Sequence, residues 1–362
     1  MRIGVDGRKF PQATALGPIG VLDAVHRLGY EGVFFRTVLD LSPELDAGRL
    51  REIRQRADDL GLYFEVGLGK VNPYNTPEIR DVRQLGRGDY RLGMERMIRA
   101  CHAIGCTELW GDIANYQGFA WGLYAIDRFR TDTTWPDQLE ATAKFLRRLA
   151  PLLRELGCHL NLETHEEVTT RELSQLVESV GPDVAGVTLD LANVVVRGEE
   201  PLAATRRVAP YVRQTHIRDV VLRFVPEGLE RQVRACGDGI IDWRAVLSEL
   251  RRHNPRLNLS IEEAKEGRNT IQLYDRAWLA ADPGLSVGEL MDLVRHAYGT
   301  EQRIARGEIP AIDAYFTGPY GVDERLAFIR RCADHLRAVS RELDAAEGGV
   351  GQLRRWREGH QA

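Results

Sequence analysis

One sequence pattern recurs along this chain and most constrains its fold. A stretch with helical periodicity ends in an apolar residue and a glycine, and a short apolar run follows. The four copies end at Gly29, Gly61, Gly105 and Gly157, ahead of the apolar runs 32–35, 63–66, 108–110 and 159–162. Glycine closes a helix readily because it adopts the left-handed conformation without steric cost, and the chain then turns into the next strand. Helices and strands that alternate at this spacing predict a parallel sheet covered by helices.

The alternation continues through the second half of the chain. Strand-like runs end at Glu163, Asp190, His216 and Ile261, with helical patterns between them. Eight strands in alternation with helices predict an α/β fold, a closed (β/α)8 TIM barrel. A length of 362 residues suits one such barrel as a single unit.

The last part of the chain departs from the repeat. We expect a single barrel domain over residues 1–345, in which residues 264–320 form an insertion before the last helix and serve as a lid or an interface. Residues 346–362 are polar and are predicted to form a frayed C-terminal tail.

Charge and cysteine usage narrow the class of protein. The 49 basic and 53 acidic residues are interspersed and give a net charge of -4, which argues against a nucleic-acid partner. The five cysteines form no CxxC pair, which is typical of reduced thiols. No apolar run reaches the length of a membrane span or a signal-peptide core, so we expect a cytoplasmic protein without a membrane partner.

Four of the predicted strands end in side chains that can bind a metal ion. These side chains are Glu163, Asp190, His216 and Glu262. In a closed barrel every strand's C-terminal end faces one mouth, so we expect them to converge. Taken singly, each could be a helix cap or a surface ion pair, but buried carboxylates at successive strand ends need a partner. Carboxylate oxygens and one imidazole favour Mn²⁺ above all, with Mg²⁺ or Co²⁺ as alternatives, over a thiolate-bound structural zinc.

The order of these motifs resembles that of a known family. The motifs are Glu163-Thr164-His165, Asp190-Leu191-Ala192-Asn193, His216-Ile217-Arg218-Asp219, a Gly-x-Gly-x-Ile-Asp segment at 237–242, and Glu262. Over about residues 1–263 and the last helix, the chain resembles the xylose isomerase-like TIM barrels, the sugar phosphate isomerase/epimerase superfamily. Arg218 stands where a lysine is more usual in that family, and Asn193 stands where some members have a histidine.

The resemblance implies a chemistry. Its epimerases and isomerases bind a ketose through two oxygens on the metal, which stabilises the enediolate formed when a neighbouring carbon loses a proton. By this analogy Glu163 and Glu262 are both metal ligands and proton carriers. His165 is a further candidate base, or else a histidine that orients a ligand.

Three other residues are candidate substrate contacts. Trp110, at the end of strand four, could stack on a sugar face, with core packing as the alternative. Arg218 could pair with a substrate carboxylate or phosphate, and Asn193 is the third candidate substrate contact. By contrast, Glu65 is expected to be structural. Arg8 and Lys9 could reach the mouth, but a solvated loop is the preferred interpretation.

Four functions follow, in order of preference. The first is a metal-dependent isomerase or epimerase that acts on a sugar or polyol. The second is a lyase of the same superfamily, such as an inosose dehydratase or the large subunit of a 3-oxo-C-glycoside deglycosidase. The insertion and an aromatic loop (Asn115, Tyr116, Phe119, Trp121 and Tyr124) fit a bulky substrate or a second subunit. An apurinic endonuclease and a non-catalytic barrel rank lower. We also expect a homo-oligomer or a complex with a second subunit.

Overall fold

The computed structural model describes residues 1–76, 79–113, 126–265, 267–282 and 284–359, with side chains described up to residue 346. Within these residues, eight strands form one parallel sheet in the order β10-β1-β2-β3-β4-β5-β6-β7, numbered along the chain. They are β1 (Ile3–Asp6), β2 (Gly32–Phe35), β3 (Tyr63–Lys70), β4 (Glu108–Asp112), β5 (His159–Glu163), β6 (Ala185–Asp190), β7 (Val212–His216) and β10 (Leu259–Ile261).

The sheet closes on itself next to the last barrel strand. A parallel bridge joins Ile217, directly after β7, to Ile261 in β10. The amide of Ile217 donates to the carbonyl of Ser260 at 2.8 Å, and the amide of Glu262 donates to the carbonyl of Ile217 at 3.0 Å. The predicted (β/α)8 TIM barrel is therefore confirmed.

Helices cover the outside of the sheet. They are α1 (Ala13–Arg27), α2 (Ala47–Asp59), α3 (Arg80–Leu85), α4 (Tyr90–Ala103), α5 (Trp135–Leu156), α6 (Thr170–Val180), α7 (Leu191–Val194), α8 (Pro201–Val208) and α9 (Trp243–His253). All four glycines of the recurring sequence pattern have positive φ, between 62° and 77°, as is typical where glycine ends a helix. None of the helices in the described residues is both long enough and apolar enough to cross a lipid bilayer.

The start of α6 shows how local sequence positions the mouth of the barrel. The hydroxyl of Thr169 accepts from the amide of Glu172 at 3.1 Å, and a carboxylate oxygen of Glu172 accepts from the amide of Thr169 at 2.9 Å. This reciprocal cap satisfies two backbone donors that the first helical turn leaves unpaired. Leu173, Val177 and Val180 then bury one face of α6. The loop between β5 and α6 is thereby held at both ends.

A second, antiparallel sheet stands beside the mouth. A hairpin of β8 (Asp219–Val225) and β9 (Gly228–Arg234) follows β7, and β11 (Arg268–Ile271) pairs with β9. The rest of the 264–320 segment contains α10 (Arg276–Ala280), α11 (Val287–Ala305) and α12 (Ile312–Thr317), and the last helix is α13 (Val322–Gly359). The hairpin was not predicted, and helix α13 continues through most of the predicted tail.

Candidate active site

Four strand-end side chains meet at the mouth of the barrel. Glu163, Asp190 and His216 are the last residues of β5, β6 and β7, and Glu262 directly follows β10. One ligand atom from each lies within 4.8 Å of the others, and all four residues are buried. We call these four residues the candidate metal centre. The structure thus brings together the residues that the sequence predicted as ligands.

Two atoms of the candidate metal centre are suited to bind a cation. Oε2 of Glu262 and Nε2 of His216 are buried, and neither has a hydrogen-bond partner among the described residues. Nδ1 of His216 lies 2.9 Å from Oε1 of Glu163 and 3.7 Å from Oε2 of Glu262. Three carboxylates in such close contact are costly to bury unless positive charge balances them, because water no longer screens their repulsion. The donor set therefore fits a divalent ion that prefers oxygen and imidazole ligands.

Two arginines bracket the candidate metal centre. Arg36 contacts Oδ2 of Asp6 at 2.7 Å and Oε1 of Glu262 at 2.6 Å. Arg218 contacts Oδ2 of Asp190 at 2.5 Å and the same oxygen of Glu262 at 3.3 Å. Oε1 of Glu262 is therefore held by two guanidinium groups, while its other oxygen remains available.

These contacts set the ionisation of the carboxylates. Burial alone raises the pKa of Glu163, but the attraction and hydrogen bond of His216 lower that pKa to about 2. Burial acts the same way on Glu262, where Arg218, Arg36 and His216 hold the pKa well below its ordinary value. The pKa of Asp190 rises to about 6, because burial outweighs the attraction of Arg218.

Two predicted substrate contacts lie against the candidate metal centre. Nε1 of Trp110 donates to Oε2 of Glu163 at 2.9 Å. Nδ2 of Asn193 donates to Oδ2 of Asp190 at 2.9 Å, and its Oδ1 accepts from Arg218 at 3.1 Å. Both side chains are buried, so the contacts observed are with the candidate metal centre, and substrate binding by either residue remains a prediction.

His165 belongs to a second group of polar residues beside the first. Its Nδ1 is hydrogen-bonded to Glu167, and ligand atoms of His165, Glu167 and Asp112 lie within 4.8 Å of one another. Lys70 forms an ion pair with Asp112. Burial lowers the pKa of His165, but the carboxylates of Glu167 and Asp112 outweigh it and raise the pKa to about 9.

The sequence interpretation overlooked several of these residues. Asp6 and Asp112 are the last residues of β1 and β4 and carry the same strand-end signal as the predicted ligands. Lys70 likewise ends β3. Arg36 follows β2 directly and could have been found in the same way. The aromatic loop, with Asn115, Tyr116, Phe119, Trp121 and Tyr124, lies outside the described residues.

A cavity of about 940 Å³ opens above the candidate metal centre. Its barrel side is lined by Lys9, Arg36, His165, Glu166, Arg218, Glu262 and Glu263. Its other side is lined by residues of the 264–320 segment and its surroundings, among them Lys265, Arg268, Asn269, Tyr320 and Arg325. The cavity has the size of a small-molecule site and joins the barrel mouth to the predicted insertion. Lys9 lines it from the loop after β1, at a half-buried position.

Three curated relatives share stretches of this sequence. The 3-oxo-isoapionate decarboxylase of Pectobacterium atrosepticum is 24% identical over 270 residues, which cover 72% of this chain and 85% of the decarboxylase. An inosose dehydratase of Bacillus anthracis is 24% identical over 148 residues, covering 37% of this chain and 50% of the dehydratase. An uncharacterized protein of Escherichia coli, YihM, is 27% identical over 114 residues, covering 32% of this chain and 35% of that protein. The chain spans half or less of the last two.

Solved structures share the architecture. The D-psicose 3-epimerase of Clostridium cellulolyticum H10, solved with D-tagatose, has a TM-score of 0.54 at 16% identity, covering 84% of this chain and 99% of the epimerase. A xylose isomerase-like TIM barrel protein from Mycobacterium smegmatis, solved in complex with magnesium, has a TM-score of 0.52 at 18% identity, covering 77% and 89%. At these identities the likeness shows the fold.

The sequence model of one family spans most of the barrel. The model of the xylose isomerase-like TIM barrel matches residues 22–281, which contain the whole candidate metal centre. The relatives named for a reaction are enzymes of the sugar isomerase, epimerase and lyase group. This chain belongs to the xylose isomerase-like TIM barrel family.

Proposed function

We propose that this chain is a divalent-metal-dependent isomerase or epimerase that moves a proton next to a carbonyl group of a sugar or polyol. The observation that carries the proposal is the convergence of four buried ligand groups beside a cavity of about 940 Å³. Glu163, Asp190, His216 and Glu262 would hold the ion, Mn²⁺ by preference. When bound, such an ion polarises a carbonyl and stabilises the negative charge that develops when the neighbouring carbon loses its proton.

The two glutamates supply the proton transfer. Glu163 is kept ionised by His216 and is oriented through its second oxygen by Trp110, so it can take a proton from carbon. Glu262 is fixed through Oε1 by Arg36 and Arg218, and its partnerless Oε2 can accept or return a proton. If one glutamate removes a proton from a carbon and the other returns a proton from a different strand end, the configuration of that carbon is inverted or the carbonyl group moves to the neighbouring carbon.

A lyase is the second candidate, and one observation favours it. The two arginines on Glu262 stabilise its ionised form, which makes it a weak proton donor. His165, which lines the cavity and is hydrogen-bonded to Glu167, is a better donor to a leaving group. A dehydratase and a decarboxylase among the relatives expel a small molecule, as does a deglycosidase.

The five cysteines bear on the compartment. All five are free and buried. Free thiols are typical of a reducing compartment, so we place the enzyme in the cytoplasm.

Metal analysis and isotope exchange test the leading function. We expect purified protein to contain a divalent metal, and Glu163→Gln to lose it to chelator more readily than the exposed control Glu140→Gln. With ketoses, keto-inositols and 3-oxo-glycosides in deuterated water, we expect exchange at the carbon next to the carbonyl. The same variant should slow that exchange by about 100-fold or more.

Two results would contradict the proposal: unchanged metal retention in Glu163→Gln, or exchange with no member of the panel. Product mass separates the two candidates. An isomerase or epimerase conserves mass apart from deuterium, whereas a lyase releases water, carbon dioxide or an aglycone.

A further inference from the structure

Cationic side chains predominate on the wall of the mouth cavity. Among the described residues that line it, the lysines and arginines are Lys9, Arg36, Arg218, Lys265, Arg268 and Arg325, His165 adds a further basic group, and the three acidic residues are Glu166, Glu262 and Glu263. Arg36 and Arg218 bracket the candidate metal centre, where Asp6, Asp190 and Glu262 oppose their charge. The excess of positive charge therefore belongs to the outer wall of the cavity.

Three of the four outer cations already have partners. Arg325 contacts Glu263 at 2.6 Å, and Arg268 contacts Glu230 at 2.9 Å. Nζ of Lys265 donates to the carbonyls of residues 318 and 319 at 2.6 and 3.1 Å. These contacts hold the wall together: the two arginines are paired with carboxylates, and the ammonium of Lys265 is bound by neutral carbonyls.

Lys9 is the exception. Its amide donates to Oδ1 of Asp6 at 3.1 Å, and its carbonyl accepts from Arg325 at 2.7 Å, so its backbone is fixed. Its ammonium group forms no ion pair within the described part of the chain. The charge of Lys9 reaches Glu262 and Glu263, yet each of these carboxylates has an arginine at 2.6 Å. Lys9 therefore lines the cavity from a half-buried position, and no carboxylate of the described residues forms an ion pair with it.

Lysine is rare in this chain, and most of its lysines lie at the mouth of the barrel. The 49 basic residues include four lysines, at positions 9, 70, 144 and 265. Three of them lie at the mouth of the barrel, and Lys144 lies outside on α5, 3.4 Å from Glu140. An ammonium is a compact point charge, whereas a guanidinium is a planar fork. Three of the four lysine ammonium groups of the chain therefore lie at the mouth, together with the four arginines that line the cavity.

We propose that Lys9 binds an anionic group of the substrate, a carboxylate or a phosphate, so that the enzyme acts on an acidic carbohydrate in preference to a neutral ketose. The inference rests on the proposed function, since it names the substrate class of the same site. A concave wall on which cations predominate concentrates anions near it, because its charges act together on a ligand that enters the cavity. The anionic group then anchors the substrate at the end of β1, beside Glu262 of the candidate metal centre.

Binding to matched acidic and neutral ligands tests the proposal. The ligands are five- and six-carbon aldonates, the corresponding alditols, and alditol phosphates, titrated calorimetrically into Mn²⁺-loaded protein. We expect at least one anionic series to bind about 10-fold or more tightly than its alditols. Lys9→Met should remove that difference, Lys9→Arg should keep most of it, and the control Lys144→Met should not change it. The aldonate and phosphate arms identify the anion.

Two binding results overturn the inference. One is equal binding of the acids and the alditols by the wild-type protein. The other is a preference for acids that survives in Lys9→Met, which would assign that preference to the metal ion. Unchanged thermal unfolding of the Lys9 variants verifies that they fold.

Exchange in deuterated water separates this inference from the proposed function. The matched substrates are 5-keto-D-gluconate and D-fructose. Equal exchange of both contradicts the acidic substrate class and leaves the proposed function standing. Exchange of neither compound and of no member of the wider panel, together with Lys9-dependent binding of acids, contradicts the proposed function and leaves the anion site standing.

Discussion

Individual carboxylates inside this barrel differ in how many of their oxygens accept a hydrogen bond. Glu163 has a donor on each oxygen, from His216 and Trp110, whereas Glu65 has a donor on one oxygen only. Oε1 of Glu65 accepts from Asn258 at 2.7 Å, and its Oε2 is buried without a hydrogen-bond partner in the described part of the chain. An unsatisfied buried oxygen favours the protonated form of the group. The charge state of each carboxylate therefore follows from its immediate partners.

Glu65 gives a prediction about stability and pH. Burial raises its pKa to about 7, although the hydrogen bond from Asn258 opposes the rise. The folded state then binds a proton that the unfolded chain releases near its ordinary pKa, so this contribution to stability falls as pH rises from about 4.5 through 7. We expect the free energy of unfolding of Glu65→Gln to gain about 2 kcal/mol on wild type between pH 5 and pH 8. Urea denaturation at both pH values measures the difference, with Glu140→Gln as control, and parallel pH profiles would refute it.

At the scale of secondary-structure elements, local pattern predicted the barrel and missed the second sheet. The glycine-closed helices and apolar runs specify each barrel strand through residues adjacent in sequence. The pairing of β9 with β11 joins residues 229–232 to residues 268–271, and no local periodicity encodes such a distant partner. The four ligands of the candidate metal centre were predictable because strand ends converge in any barrel. Arg36 directly follows β2 and was predictable in the same way, whereas the position of Lys9 at the cavity depends on the geometry of the loop after β1.

The junction between β8 and α9 depends on one side chain, Asp219. Its carboxylate accepts from the amides of residues 220, 237 and 241 and from Nε1 of Trp243, at 2.8 to 3.1 Å. Burial nevertheless raises its pKa to about 6. These bonds fix the Gly-x-Gly-x-Ile-Asp segment against the start of the hairpin.

Substitution of Asp219 therefore has a predicted cost. Asp219→Asn turns one acceptor into a donor that faces other donors and leaves buried amide groups unpaired. We expect it to lower the free energy of unfolding by about 3 kcal/mol. The exposed control, Asp58→Asn, should change it by less than about 0.5 kcal/mol. Chemical denaturation measures both, and equal stability of the two variants would refute the role assigned to Asp219.

The whole molecule separates its charges. Its net charge is -4, while cations predominate in the mouth cavity, so the acidic excess lies elsewhere on the protein. A cleft of one sign concentrates the opposite charge at its entrance. Large apolar side chains are also exposed unevenly: Tyr274, Val287, Met291 and Tyr298 all lie in the 264–320 segment.

This apolar row bears on assembly. Val287, Met291 and Tyr298 repeat on α11 at intervals of about one and two turns, which gathers them on one side of the helix. We predict that the chain forms a homo-oligomer through this side, because exposed apolar rows commonly mark interfaces. Light scattering should give a multiple of the 40.8 kDa chain mass for the wild type and the control Leu28→Glu, and a lower mass for Met291→Glu. A monomeric wild type would contradict the prediction.

The closure of the barrel next to Ile217 has a mechanical consequence. The peptide of Ile217 joins the last barrel strand to the one before it. The proposed ligands stand on both sides of this join, with His216 on β7 and Glu262 after β10. An ion bound by both of those side chains would link β10 to β7 in addition to the backbone bridge. Loss of the ion would then weaken the junction between β7 and β10 as well as abolish the proposed activity.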